Sequence, residues 1–519
     1  MTATPTGFDD AQAKSLTTFE HVGIKKVPTG IPGLDHITQG GIPENRSTLV
    51  TGTSGSAKTV LAVQFLVSGI EQFNENAVFI TFEESPADIR RNVANFGWDI
   101  AMLEATNRFR FVDCSPDPYD EVIIEAGSYD FSALLARISY AVEFIDASRV
   151  AVDSINTLFM QYQAPGIVRR EMFRLSAGLR QQGLTVLMTA ERTDDYGKVS
   201  RFAVEEFVSD NVVVLRNVLE EEKRRRTIEI LKYRGTNHYK GEYPFTISGK
   251  GIEVLPLSAM ELTQESSNER ISTGVTELDE MTGGGYYCNS VILASGATGT
   301  GKTLLVTTFI DDGSRRGEKT LVFAFEEARA QLLRNAQGWG KDFQKWEDEG
   351  LLKIVAAYPE SLGLEDHLLN MQREIDIFKP TRIAVDSLSA MERVSTLKSF
   401  REFVIGLTSF VKERACTGLF TATTASLMGG TSITETHIST ITDSIILLRY
   451  VELMGEMRRG ITVLKMRGSQ HDKLIREYCI DGEGMRIGEG FQNVAGILSG
   501  APQQLSKDEI RQLNGMFDE

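Results

Sequence analysis

The chain has 519 residues, of which 41% are hydrophobic and 24% charged, and its formal net charge is −16. That length exceeds what one hydrophobic core supports, and the composition is that of an ordinary globular chain. The acidic balance disfavours broad binding to a nucleic-acid backbone, and no apolar run approaches the ~20 residues that span a bilayer.

From the N-terminus, Met1 to Asp10 lacks a basic region followed by an apolar stretch, so no secretory signal is expected. Cys114, Cys288, Cys416 and Cys479 are scattered without a C-x-x-C pair. That spacing argues against a disulfide framework or a zinc site and fits a reducing cytoplasm. Thr29-Gly30-Ile31-Pro32-Gly33-Leu34-Asp35 comes next, followed by the turn Gly40-Gly41. An apolar strand, Ser47 to Val50, then enters Gly52-Thr53-Ser54-Gly55-Ser56-Ala57-Lys58-Thr59. This is a phosphate loop, G-x-x-x-x-G-K-[ST], with Ala57 at its second glycine. Such a loop turns backbone N–H groups onto phosphates, neutralises them with Lys and offers a hydroxyl to Mg²⁺. If the Ala57 position needs a positive φ, the methyl costs about 1–2 kcal/mol; if it is helical, the cost is small.

A helix follows, then a strand ending in paired acids, Val78 to Glu84, and a third strand ending in Asp, Val150 to Ser154. Glu83 and Glu84 are candidate bases for water or a hydroxyl near a γ-phosphate. Adjacent side chains on a strand point in opposite directions, so one of the pair is expected to act. Asp153 stands where a carboxylate would orient Mg²⁺ beside Thr59. Late in this half, Lys232-Tyr233-Arg234-Gly235 alternates two cations on one strand face, a candidate charge-stabilising finger on a neighbour's nucleotide. His238 follows it.

The whole series is then written again. Thr273 to Asp279 echoes Thr29 to Asp35 at an offset of 244, and the loop Gly296-Ala297-Thr298-Gly299-Thr300-Gly301-Lys302-Thr303 matches its pattern in full. Leu321 to Glu327 ends in Glu326 and Glu327, Ile383 to Ser387 carries Asp386, and Lys465-Met466-Arg467-Gly468 precedes His471. Short apolar runs alternating with helical stretches predict an α/β fold: two tandem phosphate-loop domains, each a mostly parallel central sheet flanked by helices. The expected limits are 1–262 and 273–499, with a polar linker over 263–272 and a tail over 500–519. Ser506 and Glu509 in that tail form a capping-box pattern for a short helix. Only the second half has a hydroxyl-rich run before its late strand, Thr431 to Asp443, a candidate self-phosphorylation substrate.

Together these residues resemble the KaiC family of circadian-clock ATPases and autokinases, within the RecA-like superfamily. The resemblance runs from about Val22 to Gly500. It rests most specifically on Phe96-Gly97-Trp98-Asp99, Lys232 to Phe245, Ser432 to Asp443 and Lys465 to Asp472. It implies an ATPase half followed by a serine/threonine autokinase and autophosphatase half, with six chains forming a double ring and ATP between neighbours. It further implies Ser439 and Thr440 as phosphoacceptors, Thr434 as a regulatory hydroxyl, and Glu83, Glu84, Glu326 and Glu327 as catalytic carboxylates. Trp339 matches an adenine contact. Arg459, Lys465, Met466, Arg467, Ser469 and His471, and in the first half Lys232, Tyr233, Arg234, Thr236 and His238, match nucleotide contacts. Mg²⁺ is expected on Thr59, Asp153, Thr303, Glu326 and Asp386, some through water. A KaiB-like partner is implied; the tail after Gly500 does not resemble the KaiA-binding tail, which weighs against KaiA. Two other readings compete: a RecA- or DnaB-like DNA-stimulated ATPase, against which the net charge counts, and a nucleotide-gated scaffold that phosphorylates nothing.

Overall fold

A computed structural model describes residues 23–114, 131–159, 165–197, 208–220, 222–257, 267–424, 438, 440–492, 494–498 and 503–504. The chain divides into two compact units, Met1–Pro256 and Leu257–Glu519. The expected linker lies partly outside the described residues, as do Thr434, Ser439 and the capping pattern at Ser506.

The first unit is built on a nine-stranded sheet. In chain order its strands are β1 (Ser47–Gly52), β2 (Asn76–Thr81), β3 (Phe109–Asp113), β4 (Ala147–Asp153), β5 (Thr185–Glu191), β6 (Asn211–Glu220), β7 (Lys223–Tyr233), β8 (Glu242–Ser248) and β9 (Gly251–Val254). Across the sheet they run β9-β8-β7-β6-β1-β5-β4-β2-β3. The six from β6 to β3 are parallel, and β7, β8 and β9 extend them antiparallel. Leu49, Val78, Ile80, Val150, Val152, Val186 and Met188 alternate onto one face, where they meet α3 (Phe131–Ile145) and α4 (Pro165–Gln181). The helix that leaves the loop, α1 (Lys58–Phe73), packs against β2, β4 and β5. Past β2, Ser85 caps α2 (Pro86–Val93) by accepting from the Asp88 N–H, with Pro86 in the first turn.

The second unit repeats the plan. Its strands are β10 (Val291–Gly296), β11 (Thr320–Ala324), β12 (Leu352–Ala356), β13 (Arg382–Asp386), β14 (Thr417–Thr423), β15 (Ser444–Leu453), β16 (Glu456–Met466), β17 (Arg476–Asp481) and β18 (Gly484–Gly490). Their order is β12-β11-β13-β14-β10-β15-β16-β17-β18, with the last three again antiparallel additions. Helix α5 (Lys302–Arg315) follows the loop and buries Leu304, Leu305 and Phe309 against Ile292, Val322 and Ala384.

Each sheet has a buried arginine at the start of its Asp-ending strand. Arg149 is fully buried, pairs with Glu75 at 2.5 Å and donates to the carbonyls of Phe65 and Pro28. Arg382, equally buried, pairs with Glu318 at 2.6 Å and Asp312 at 3.1 Å and donates to the carbonyls of Phe309 and Ser272. Both guanidiniums pass so close to the loop helix that only glycine fits beneath them. A Cβ on Gly69 would lie 2.5 Å from Arg149 Cδ, and one on Gly313 2.7 Å from Arg382 Cδ. The tie fastens the segment that precedes each unit's first turn to the sheet.

Candidate functional site

Both loops leave the carboxyl ends of central parallel strands, where ligands of such sheets bind. In each, the lysine folds back onto its own loop. Lys58 Nζ donates to the Gly52 and Thr53 carbonyls at 3.0 Å each, and Lys302 Nζ to those of Gly296 (2.8 Å) and Ala297 (3.0 Å). Burial lowers the pKa of both amines, against the pull of nearby carboxylates. Ser56 Oγ and Thr300 Oγ1 close the turn by donating to the Thr53 and Ala297 carbonyls, each at 2.7 Å. The tips, Ser54-Gly55 and Thr298-Gly299, are exposed.

Ala57 takes φ 72° and ψ 29°, and its counterpart Gly301 takes φ 94° and ψ 22°. Of the two alternatives left open by the sequence, the left-handed one holds. The first loop therefore keeps the second loop's backbone path at the cost of a methyl in a region that disfavours it.

Thr59 Oγ1 donates to Asp153 Oδ2 at 2.6 Å, and Thr303 Oγ1 to Asp386 Oδ2 at 2.8 Å. The other carboxylate oxygen accepts from Thr189 or from Thr421. Nothing in the sequence marks these two threonines except their matched place on β5 and β14. Burial raises the pKa of both aspartates, and the threonine hydrogen bonds oppose it. A hydroxyl beside one carboxylate, next to a phosphate cradle, is a set of hard oxygen donors that suits Mg²⁺, which binds few protein ligands together with substrate phosphates. Among the described residues no group of three or more His, Cys, Asp or Glu is arranged to hold a metal without such help. The peptide after each of these aspartates is cis.

The paired acids lie just beyond β2 and β11, not on the strands as expected, so the bend and not the pleat separates them. They still diverge. Glu83 Oε1 accepts from Ser154 Oγ at 2.6 Å and Thr157 Oγ1 at 2.5 Å, beside Asp153. Glu84 turns to Asn92 on α2, at 2.9 Å. In the second unit Glu326 accepts from Arg393 at 3.2 Å, and Glu327 from Asn335 at 2.9 Å on α6 (Arg329–Gly338). Burial raises the pKa of Glu84 and Glu327, the asparagine bonds working against it. Trp339, half-buried, ends α6 and packs against the core.

The late basic pairs are not near their own loops. Lys232 pairs across the sheet with Val212, which is level with Leu49; Lys465 pairs with Ile445, level with Leu293. Each lies three residues, about 10 Å, short of the loop-bearing end and two strands, about 10 Å, aside. There Lys232 Nζ donates to the Ser209 carbonyl and Lys465 Nζ to that of Thr442, both at 2.7 Å. Arg234 lies 3.9 Å from Asp210 and Arg467 3.9 Å from Asp443. Arg467 also donates to the Thr440 carbonyl at 2.7 Å. Tyr233 and Met466 are buried: the tyrosine hydroxyl donates to the Gly41 carbonyl, while Met466 belongs to the core. Thr236 is half-buried in the following turn, and His238 lies edge-on to Tyr233 at 5.5 Å. Burial lowers the pKa of His238. Ser469 accepts from Arg270, and His471 carries a buried Nδ1 with no partner among the described residues.

Arg459 separates from this group. It pairs with Tyr450 at the loop-bearing end, and a Cβ on Gly299 would come within 2.8 Å of the Tyr450 hydroxyl. Its first-unit counterpart, Arg226, donates to the Gly55 carbonyl in its own loop at 3.3 Å.

Residues 27–259 and 271–491 each match the family described as "ATPase: KaiC". The chain is 60% identical over 498 residues to the circadian clock protein KaiC3 of Synechocystis sp., covering 96% of this chain and 98% of that one. It is 57% identical over 490 residues to the circadian clock oscillator protein KaiC of Thermosynechococcus vestitus, covering 94% of each. To the protein of that name from Prochlorococcus marinus strain MIT 9313 it is 55% identical over 498 residues, covering 96% and 99%.

Proposed function

The chain belongs to the KaiC family of ATPases, and on that premise we propose a clock protein that works as a homohexamer, hydrolysing ATP in its first half and phosphorylating itself in its second. The observation that carries the reading is the division of each sheet. The loop, Asp and acids occupy one end; the basic strand end occupies the other, and in the second unit it holds the Thr440 carbonyl. A nucleotide in a subunit's own loop is therefore out of reach of that subunit's Lys465, Arg467 and Thr440. A neighbour presenting its opposite end completes the site and delivers cation and acceptor together.

In this mechanism the loop N–H groups and Lys302 bind the phosphates, and Trp339 lies toward the adenine. Thr303 and Asp386 would hold Mg²⁺, as Thr59 and Asp153 would in the first half, and the bound ion would supply neutralisation of phosphate charge. Glu326 or Glu327 takes the acceptor proton. Lys465 and Arg467 of the adjoining copy offset charge on the transferred group. Phosphate on Ser439 or Thr440 adds about −1.5 to −2 charges at the seam. In the first half, slow hydrolysis presents a nucleotide-dependent surface to a KaiB-like partner.

The test mixes a Lys302→Ala subunit with a Ser439→Ala/Thr440→Ala subunit under Mg·ATP and maps phosphopeptides. Label is expected on the Lys302→Ala chain. No label there counts against transfer between subunits; no label on 431–443 of the unaltered protein removes the kinase and leaves a scaffold that turns over ATP.

A further inference from the structure

The two units differ at the carboxylate beside the metal-site aspartate. In the first, Ser154 Oγ and Thr157 Oγ1 both donate to Glu83 Oε1, from a buried turn and from the short helix Ile155–Phe159. One carboxylate oxygen is thereby fixed from two directions, and Oε2 takes no part in the clamp. In the second, the position matching Thr157 is Ala390, fully buried and without a hydroxyl. The position matching Ser154 is Ser387, whose buried Oγ has no hydrogen-bond partner among the described residues. Glu326 is held instead by Arg393, about one helical turn further along, with 62% of its side chain exposed. Backbone does not account for the difference. Asp153 and Asp386 accept from matched threonines, and Asn156 Oδ1 and Ser389 Oγ accept from matched N–H groups, of Glu191 and Thr423.

We propose that Thr157, with Ser154, is the positioning residue that makes the first half a hydrolase, and that its replacement by Ala390 with Arg393 nearby spares γ-phosphate from water in the second half. The inference rests on the reading of the paired acids as bases, and commits within each pair to Glu83 and Glu326. In hydrolysis the water oxygen bonds to γ-phosphorus, the bond from phosphorus to the ADP oxygen breaks, and the water proton passes to the Glu83 carboxylate. A carboxylate fixed at one oxygen keeps the other in line with that water throughout. A carboxylate tied to an exposed arginine is drawn outward, so water near the phosphate has no aligned acceptor. The phosphoryl group then persists until a protein hydroxyl arrives, and the Ser387 hydroxyl is left idle.

The experiment uses the full chain with Lys302→Ala, so that ADP formation reports the first half alone. Thr157→Ala is expected to lower kcat roughly tenfold with KM within about twofold, and Thr157→Ser to restore most of the rate. In the otherwise unaltered chain, Ala390→Thr with Arg393→Met is expected to shift ATP consumption in the second half from phosphopeptide toward free phosphate. Glu83→Gln is the control for the underlying reading. If it hydrolyses ATP normally, Glu83 is no base: the clamp falls with it, and the proposed function is left with Glu84 as its base. If it is inactive while Thr157→Ala keeps its kcat, or loses only KM, the clamp alone is overturned. A Thr157→Ser protein as slow as Thr157→Ala also overturns it, since a hydroxyl would then not be what matters.

Discussion

Ala57 offers a measurable test of backbone strain in a working loop. Its φ of 72° puts a Cβ where an L-residue loses about 1–2 kcal/mol. Ala57→Gly removes that strain and returns about 0.4–1 kcal/mol through greater freedom of the unfolded chain. The net is a gain of about 1 kcal/mol, which for a unit of this size is a rise of about 2–4 °C in Tm. Trp98 reports on the first unit once Trp339 and Trp346 are replaced by Phe. Thermal unfolding of that background, with and without Ala57→Gly, is followed by fluorescence without nucleotide, because bound ligand would raise Tm by mass action. A Tm that falls on Ala57→Gly refutes the argument, since it would mean the methyl contributes more by packing than it loses by strain.

The mirror change, Gly301→Ala, should lower second-unit stability by about 1–2 kcal/mol in urea melts, because Gly301 has φ 94° and its new methyl would meet the flexible ends of Ile480 and Met485 at 2.7 and 3.3 Å. Arg382→Met strands Glu318, takes from Asp312 one of its two arginine partners (Arg316 remains at 3.0 Å) and removes the guanidinium from two carbonyls. A loss of about 3–5 kcal/mol is expected by the same assay, and a neutral result would show that the pair contributes nothing beyond its volume. Burial pushes the Cys416 thiol up to about 11. Alkylation of Cys416 in the folded protein should therefore keep rising about tenfold per pH unit past 9, and peptide mapping at pH 8 should find it modified only after unfolding.

Much of this was legible in the sequence because duplication doubles each signal. Two loops, two aspartates after apolar strands and two basic pairs in register identify one plan written twice, and the fold follows from it. What stayed hidden depends on three-dimensional direction. The sequence leaves φ at Ala57 undecided between a helical and a left-handed value. It places Glu83 and Glu84 at a strand end, whereas a bend two residues past the strand sends one to Ser154 and the other to α2. It groups Arg459 with Lys465, though strand β16 runs the length of the sheet and leaves them at opposite ends. Nothing in the sequence marks Arg149 and Arg382 as buried, since an arginine before an apolar run reads as surface charge and only its carbonyl partners in the fold set it apart. Thr157 was visible only as a hydroxyl where the second copy has alanine.

The opposed ends of each sheet give the proposed assembly a direction. Surfaces that join front to back are never self-complementary, so two copies alone always leave, in each half, one loop unserved and one basic end idle. Only a closed circuit gives every loop its donor. Turnover per chain should then be a property of closure itself, lower in open fragments of the ring and lost at dilution before any chain unfolds.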